Sequence, residues 1–359
     1  MRIDKLSSER HSVLRFPLIV SVVFIHAYGT EVGLAKGAIG VGSSSYLSDF
    51  VRNLISQGIA RPAVPLFFLV SGYFFFLGFS WSIANYKKKL NSRIKTLLIP
   101  FLFWNVFTLL LFALAQYIPA TQVYFSGKND PISTFGVYDF FNAIIGIDRP
   151  PISYQFWFIR DLIVMVLLTP VVNLAIRGIP KFFLAGIFVL WFFNLWPLYM
   201  PSVVAFTFFY AGAYFASSNT SLFALDRFGI AILSSYSVIL LIDTLTKGYE
   251  FNIYIHNTGV LLGVASALFL SKIIVRTDKL KRALLWAGSC SFFVFAVHEP
   301  LLTVVKKSIY KVLVPNSDAM VLALYVFIPA FVIVLSILLY VSMRFIAPRF
   351  LSVISGGRI

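Results

Sequence analysis

Two ionisable side chains in the first apolar stretch carry the pattern most open to chemistry. Within Val13 to Gly29, VLRFPLIVSVVFIHAYG, Arg15 and His26 stand eleven positions apart. At about 100° per residue that rotation closes to within about 20° of whole turns, so on one helix the two share a face. At about 1.5 Å rise per residue they lie roughly 16 Å apart, able to serve two ends of an elongated substrate but not to touch. A neutral imidazole titrates near physiological pH and can take a proton from a hydroxyl within hydrogen-bond reach. Inside a membrane, ionisable groups are costly and face an interior or a water-filled cavity. The plainer readings are an ordinary buried histidine and a cytoplasmic arginine that snorkels to the interface. Pro17, between them, is expected to start or kink the helix.

That helix needs a membrane, and the composition supplies one. Of 359 residues, 59% are hydrophobic, 17% aromatic and only 12% charged, more apolar surface than a soluble core can hide. Apolar runs fall at approximately 13 to 32, 60 to 79, 97 to 118, 156 to 176, 182 to 199, 201 to 217, 228 to 246, 252 to 271, 286 to 310 and 320 to 343. The chain therefore reads as an all-α polytopic membrane protein, a bundle of about ten transmembrane helices in one domain over residues 1–359. The fifth and sixth runs, parted by little more than Pro197 and Pro201, read as two helices or one broken helix. The first run lacks a small-residue cleavage site and is expected to be a retained helix.

A net charge of +16 invites nucleic acid, but Lys and Arg fall between apolar runs and no aromatic-basic module that reads bases is present. The charges are topology signals. With the amino terminus in the cytoplasm, about 20 of the 30 Lys and Arg residues lie inside, and both termini are expected there. Cys290 is the single cysteine, which excludes an intramolecular disulfide and a cysteine-built metal cluster, and no metal site is expected.

Two outward stretches exceed simple turns, 33 to 59 and 119 to 155, the latter with Asp130, Asp139, Asp148 and Arg149. Both are candidates for binding a polar acceptor. Gly37, Gly40 and Gly42 lack the spacing of a nucleotide fingerprint. Arg160 and Asp161 are adjacent and cannot share a helix face; Asp161 could orient a histidine, accept from a sugar hydroxyl or form a structural ion pair. His298 and Glu299 lie mid-span, where Pro300 deprives the Ala296 carbonyl of its usual donor. His298 could form a wall of a reaction cavity or bond to another helix. Ser71 and Gly72 suit close helix packing better than nucleophilic attack, since no histidine is adjacent to activate the hydroxyl. A transporter with Arg15, His26 and Asp161 lining its path is the alternative to an enzyme, weakened by the lack of a readable internal repeat.

The segment LRFPLIVSVVFIHA resembles the signature of membrane acyltransferase family 3, bacterial enzymes that O-acylate sugars and glycans. The resemblance continues through PLFFLVSGYFFF (Pro65 to Phe76), RIKTLLIP (Arg93 to Pro100), YQFWFIRDL (Tyr154 to Leu162) and SFFVFAVHEPLL (Ser291 to Leu302), in family order over nearly the whole chain. It implies a multi-pass protein of the bacterial inner membrane that transfers an acyl group, acetyl foremost, from acyl-CoA to a glycan or lipid-linked saccharide. No tightly bound cofactor is implied. Carried over, His26 is the catalytic residue with Arg15 binding substrate, and Arg93 and Lys95 help hold the phosphates of the donor. Asp161 and His298 stand as candidates on the acceptor side. Where many members carry a second arginine three positions after the first, this chain has Thr96 after Arg93, with Lys95 beside it.

Overall fold

The computed structural model describes residues 5–42, 46–127 and 129–358. Helix α1 (Lys5–His26) leads into a short antiparallel hairpin, β1 (Glu31–Leu34) and β2 (Gly37–Gly40), with Glu31 opposite Gly40. Then come α2 (Tyr46–Phe76), α3 (Ile83–Tyr117), α4 (Val137–Ile145), α5 (Tyr154–Leu167), α6 (Thr169–Gly178), α7 (Pro180–Phe192) and α8 (Val203–Ser217). The chain finishes with α9 (Ala224–Leu245), α10 (Asn252–Ile274), α11 (Asp278–Leu313), α12 (Asp318–Ile346) and α13 (Pro348–Ile354).

Each of the ten apolar runs falls wholly or mostly on helix. Among the described residues, six helices (α2, α3 and α9 to α12) are long and apolar enough to cross a membrane. The α5–α6 pair, bent by 59°, would make a seventh if it is one broken span. Pro170 accounts for the break, since proline suits the first turn of a new helix and has no N–H to continue an old one. Helices α7 and α8 have 13 and 15 residues, fewer than the ~20 of a straight span. Residues 193–202 separate them as a non-helical link, so they are two helices and not one broken one.

Three local expectations change. Helix α1 begins twelve residues ahead of Pro17, so Pro17 does not open it; a proline inside a helix forfeits one hydrogen bond, and the flanking turns carry the helix through. The same helix ends at His26, and the rest of the run expected to reach residue 32 turns into the hairpin. Helix α2 starts at Tyr46 through a π-wound stretch, Asn53–Ile59, and so absorbs the end of the outer stretch read as loop. Gly37 and Gly40 serve the hairpin: at Gly40, with φ +136°, a Cβ would sit 2.2 Å from the Thr30 carbonyl oxygen.

The chain divides into two compact units drawn from interleaved segments. The first takes residues up to 22, 57–94 and 161–291; the second takes 23–56, 95–160 and 292 onward. The first contains a pair of helices in backbone contact, the 63–76 half of α2 against α8. A Cβ on Gly72 would lie 2.0 Å from the Phe209 carbonyl oxygen, and one on Gly212 would lie 1.9 Å from that of Leu69. Backbone meets backbone there, which only glycine permits, and Gly72 is a packing residue as its sequence context suggested. Arg10 is buried in the same unit. Its guanidinium donates to both Asp226 carboxylate oxygens (2.6 and 3.0 Å), to Ser271 Oγ (2.9 Å) and to the Leu268 carbonyl (2.6 Å). A buried cation satisfied on all sides is the arrangement that offsets its desolvation.

In the second unit, Phe156, Phe295, Phe101 and Trp104 form an aromatic core with Phe293 and Tyr340. Trp104 Nε1 donates to the Ile354 carbonyl of α13.

Candidate active site

His26 is the last residue of α1, so carbonyls of the final turn and the turn beyond lack helical donors. Three side chains from two other helices, α2 and α11, take them. Ser56 Oγ bonds to the Phe24 carbonyl at 2.5 Å, Arg52 Nη1 donates to that of Tyr28 at 2.7 Å, and Lys306 Nζ donates to that of Gly29. Two cations at a helix C-terminus also complement its dipole. The end of α1, and His26 with it, is therefore fixed in the second unit.

Around the His26 ring stand Tyr154, edge-on with centroids 4.9 Å apart, and His298, tilted by 33° at 5.4 Å. Tyr154 donates its hydroxyl to Glu299 Oε1 at 2.9 Å. His298 and Glu299 are 0% and 3% exposed, and both sit where α11 is interrupted. Glu299 has extended dihedrals (φ −116°, ψ 132°), and Pro300 follows it. The loss of a donor to Ala296 O is answered from elsewhere: Gln155 Nε2 donates to the Ala296 carbonyl at 3.2 Å and to the Glu299 carbonyl at 2.9 Å. A patched break of this kind leaves side chains on the interrupted turn free to point where helical geometry would not place them.

His298 Nδ1 lies 2.7 Å from the Phe295 carbonyl oxygen, a contact that only an N–H makes favourably. Nε2 is then the nitrogen with the lone pair, and it is buried with no hydrogen-bond partner among the described residues. An acceptor held in that state is unusual, since buried polar atoms are nearly always paired. Together His26, Tyr154, His298 and Glu299 offer two imidazoles, a phenol and a carboxylate within one cluster. That is the equipment for moving a proton to or from a hydroxyl.

Of the six residues singled out by sequence, His26 and His298 lie together here. Arg15 is exposed on α1 within the first unit. Arg93, half-buried, closes the regular first turns of α3, and Lys95, exposed, lies in the π-wound stretch that follows. Asp161 is buried in the first unit, and its Oδ2 accepts the Ser202 backbone N–H at 2.7 Å at the start of α8. A carboxylate at a helix N-terminus is favourably placed against the dipole. Arg160, its neighbour, donates instead to the Gly146 carbonyl at 2.6 Å, as adjacency on a helix requires.

The acidic residues of the second outer stretch have local duties. Asp139 accepts the Gly136 N–H at the start of α4, and Asp148 accepts from Tyr138 at 2.9 Å and from Asn142. Those hydrogen bonds from Asn142 and Tyr138 hold the Asp148 carboxyl below its ordinary range. Tyr154, Gln155 and Glu299 were not singled out as site residues by sequence. The signal was the family-like segments themselves, YQFWFIRDL and HEP, whose polar members meet only once the chain is folded.

A family model described as an acyltransferase domain matches residues 12–341. The succinoglycan biosynthesis protein ExoH of Rhizobium meliloti (strain 1021) is 24% identical over 370 residues, covering 99% of this chain and 94% of that protein. No solved structure gives a significant match.

Proposed function

The chain belongs to the acyltransferase family whose domain spans residues 12–341, and from that premise we propose that it O-acylates a sugar hydroxyl of a bacterial glycan in the inner membrane. The relative named for succinoglycan biosynthesis supports a polysaccharide or its lipid-linked precursor as acceptor. The observation that carries the reading at the level of chemistry is the His26–Tyr154–His298–Glu299 cluster at the fixed end of α1.

In the mechanism we propose, His26 removes the proton of the acceptor hydroxyl as its oxygen attacks the thioester carbonyl; the acyl carbon–sulfur bond then breaks, and coenzyme A leaves as the thiol with the proton that His26 returns. His298, with Nδ1 committed to a backbone carbonyl, offers Nε2 to the same hydroxyl and fixes its direction. Tyr154 packs edge-on against the His26 ring and is itself held by Glu299, so it limits the imidazole to a narrow range of orientations. Acyl-CoA is the donor in this reading, with acetyl as the acyl group. Its phosphates are met by Arg93 and Lys95, and Arg15 binds substrate on the cytoplasmic side of α1. Asp161, already bonded to Ser202, contributes by holding the start of α8.

The deciding experiment is mass spectrometry of surface glycan from cells lacking the protein and complemented with wild type, His26→Ala or His298→Ala at matched membrane abundance. Wild type should add acyl mass at constant glycan length, and His26→Ala should lower the rate by about 10²- to 10⁴-fold, the usual worth of a positioned general base. Full acylation by His26→Ala would remove its catalytic role. Unchanged glycan mass in every strain, together with no transfer from a labelled donor, would remove the acyltransferase reading of this acceptor class.

A further inference from the structure

Past its interruption, α11 carries Lys306, Lys307 and Lys311; among the described residues none of the three is within salt-bridge distance of a carboxylate, and Glu299 is the nearest to act on Lys306 and Lys307. Lys306 donates to the Gly29 carbonyl and stands 5.4 Å from the Tyr310 ring centroid. Lys307 donates to the Tyr124 carbonyl at 2.6 Å, and Lys311, one turn on, stands 5.5 Å from the ring of the same tyrosine. An ammonium has three donors, so every one of these lysines has directions left to offer. Arg52, at the same end of α1, is paired with Asp49 and adds no net charge.

Three segments of the second unit converge on this cluster. The hairpin is tied to the stretch after α3 by Ala35 N–H to the Val123 carbonyl (3.1 Å), and that stretch presents Tyr124. Gly29 is three residues beyond His26, no more than about 11 Å of chain. The cluster thus borders the catalytic imidazole. Its position also runs against trend: lysines gather at cytoplasmic helix ends, and the topology expected here turns this end of α11 outward. Three lysines there, with Glu299 the one carboxylate acting on two of them and the half-buried Tyr124 between, suit an anionic counterpart with a flat apolar face.

We propose that Lys306, Lys307 and Lys311 hold the carboxylate of an acidic saccharide acceptor, with the half-buried Tyr124 beside its ring, so that an uncharged hydroxyl of the same saccharide lies at His26. This inference rests on the acyltransfer reading for what happens to that hydroxyl, but its binding arm is independent of it. The test uses the full chain in detergent with two labelled probes: a tetrasaccharide containing one glucuronate, and its carboxyl-reduced counterpart with glucose in that place. The glucuronate form should bind about tenfold more tightly at low salt and lose the preference as salt rises. Lys307→Gln and Lys311→Gln should each cut the preference at least about threefold, and Lys311→Arg should keep it.

Lys311 contributes only a ring contact to the described structure, so Lys311→Gln, checked by thermal unfolding, separates recognition from folding. Equal binding of the two probes, or a preference untouched by every Lys→Gln change, overturns the proposal. So does phosphatidylglycerol in mixed micelles abolishing the preference, which would make the cluster a lipid headgroup site. If the preference holds while neither probe is acylated, the acceptor site stands and the acyltransfer reading fails.

Discussion

At the scale of single residues, the decisive feature is how little of the cluster's polarity is left to chance. Tyr154 gives its hydroxyl to a carboxylate that is almost wholly buried. Tyr154→Phe should therefore leave Glu299 short of a donor and cost about 1–3 kcal/mol of stability, read as a lowered unfolding temperature in detergent. Because the phenyl ring still packs on His26, the activity that remains should fall less than in His26→Ala. A Tyr154→Phe enzyme as dead as His26→Ala would mean that the hydroxyl itself takes part in proton transfer. His298→Gln keeps a hydrogen-bonding side chain but loses the imidazole. It should raise KM for the acceptor more than it lowers kcat if Nε2 serves to direct the hydroxyl, which steady-state kinetics on a soluble acceptor would show.

At the scale of elements, glycines decide which helices can meet. Gly212→Leu places a side chain where the Leu69 carbonyl already lies, and the α2–α8 pair must separate to admit it. Loss of folded protein in membranes is expected, measured as a collapse of the monodisperse peak in fluorescence-detected chromatography; a normal peak would show that the pair is not required. Much of this level was legible in the sequence. Apolar runs located the helices, and Ser71–Gly72 announced close packing, because hydropathy and small side chains are local properties. The end of α1 at His26 was not legible, since the apolar run continues to residue 32 and nothing local distinguishes a helix from the hairpin that replaces it. Nor was the alliance of Tyr154, Gln155 and Glu299, whose members are joined by tertiary contacts across more than a hundred residues. Asp161 illustrates the same limit: its carboxylate reads as a candidate ligand by type, and only the fold reveals the Ser202 amide in front of it.

At the scale of the whole molecule, the distribution of Lys and Arg between apolar runs makes a topological prediction that reporter fusions can check. The topology expected from the sequence, with both termini in the cytoplasm and ten crossings, requires that reporters inserted after Lys36, in the hairpin turn, and after Gly127 report the outside, and one after Lys88 the inside; the six or seven helices long enough to span make this the test of that count. An even count with the opposite sense, or an inward reading at Lys36, would relocate His26 and the lysine cluster to the other face. The patched interruption of α11 has a consequence that reaches furthest along the chain. Gln155 supplies the donor that Pro300 cannot, although 145 positions separate them. Neither residue can change without altering what the other is worth. Gln155→Ala should be costly beside Pro300 and cheaper beside Pro300→Ala, where a backbone N–H returns, so the two substitutions should combine non-additively. In the language of inheritance, these distant sites form one epistatic pair, and a lineage that lost the proline would also lose the pressure to keep the amide.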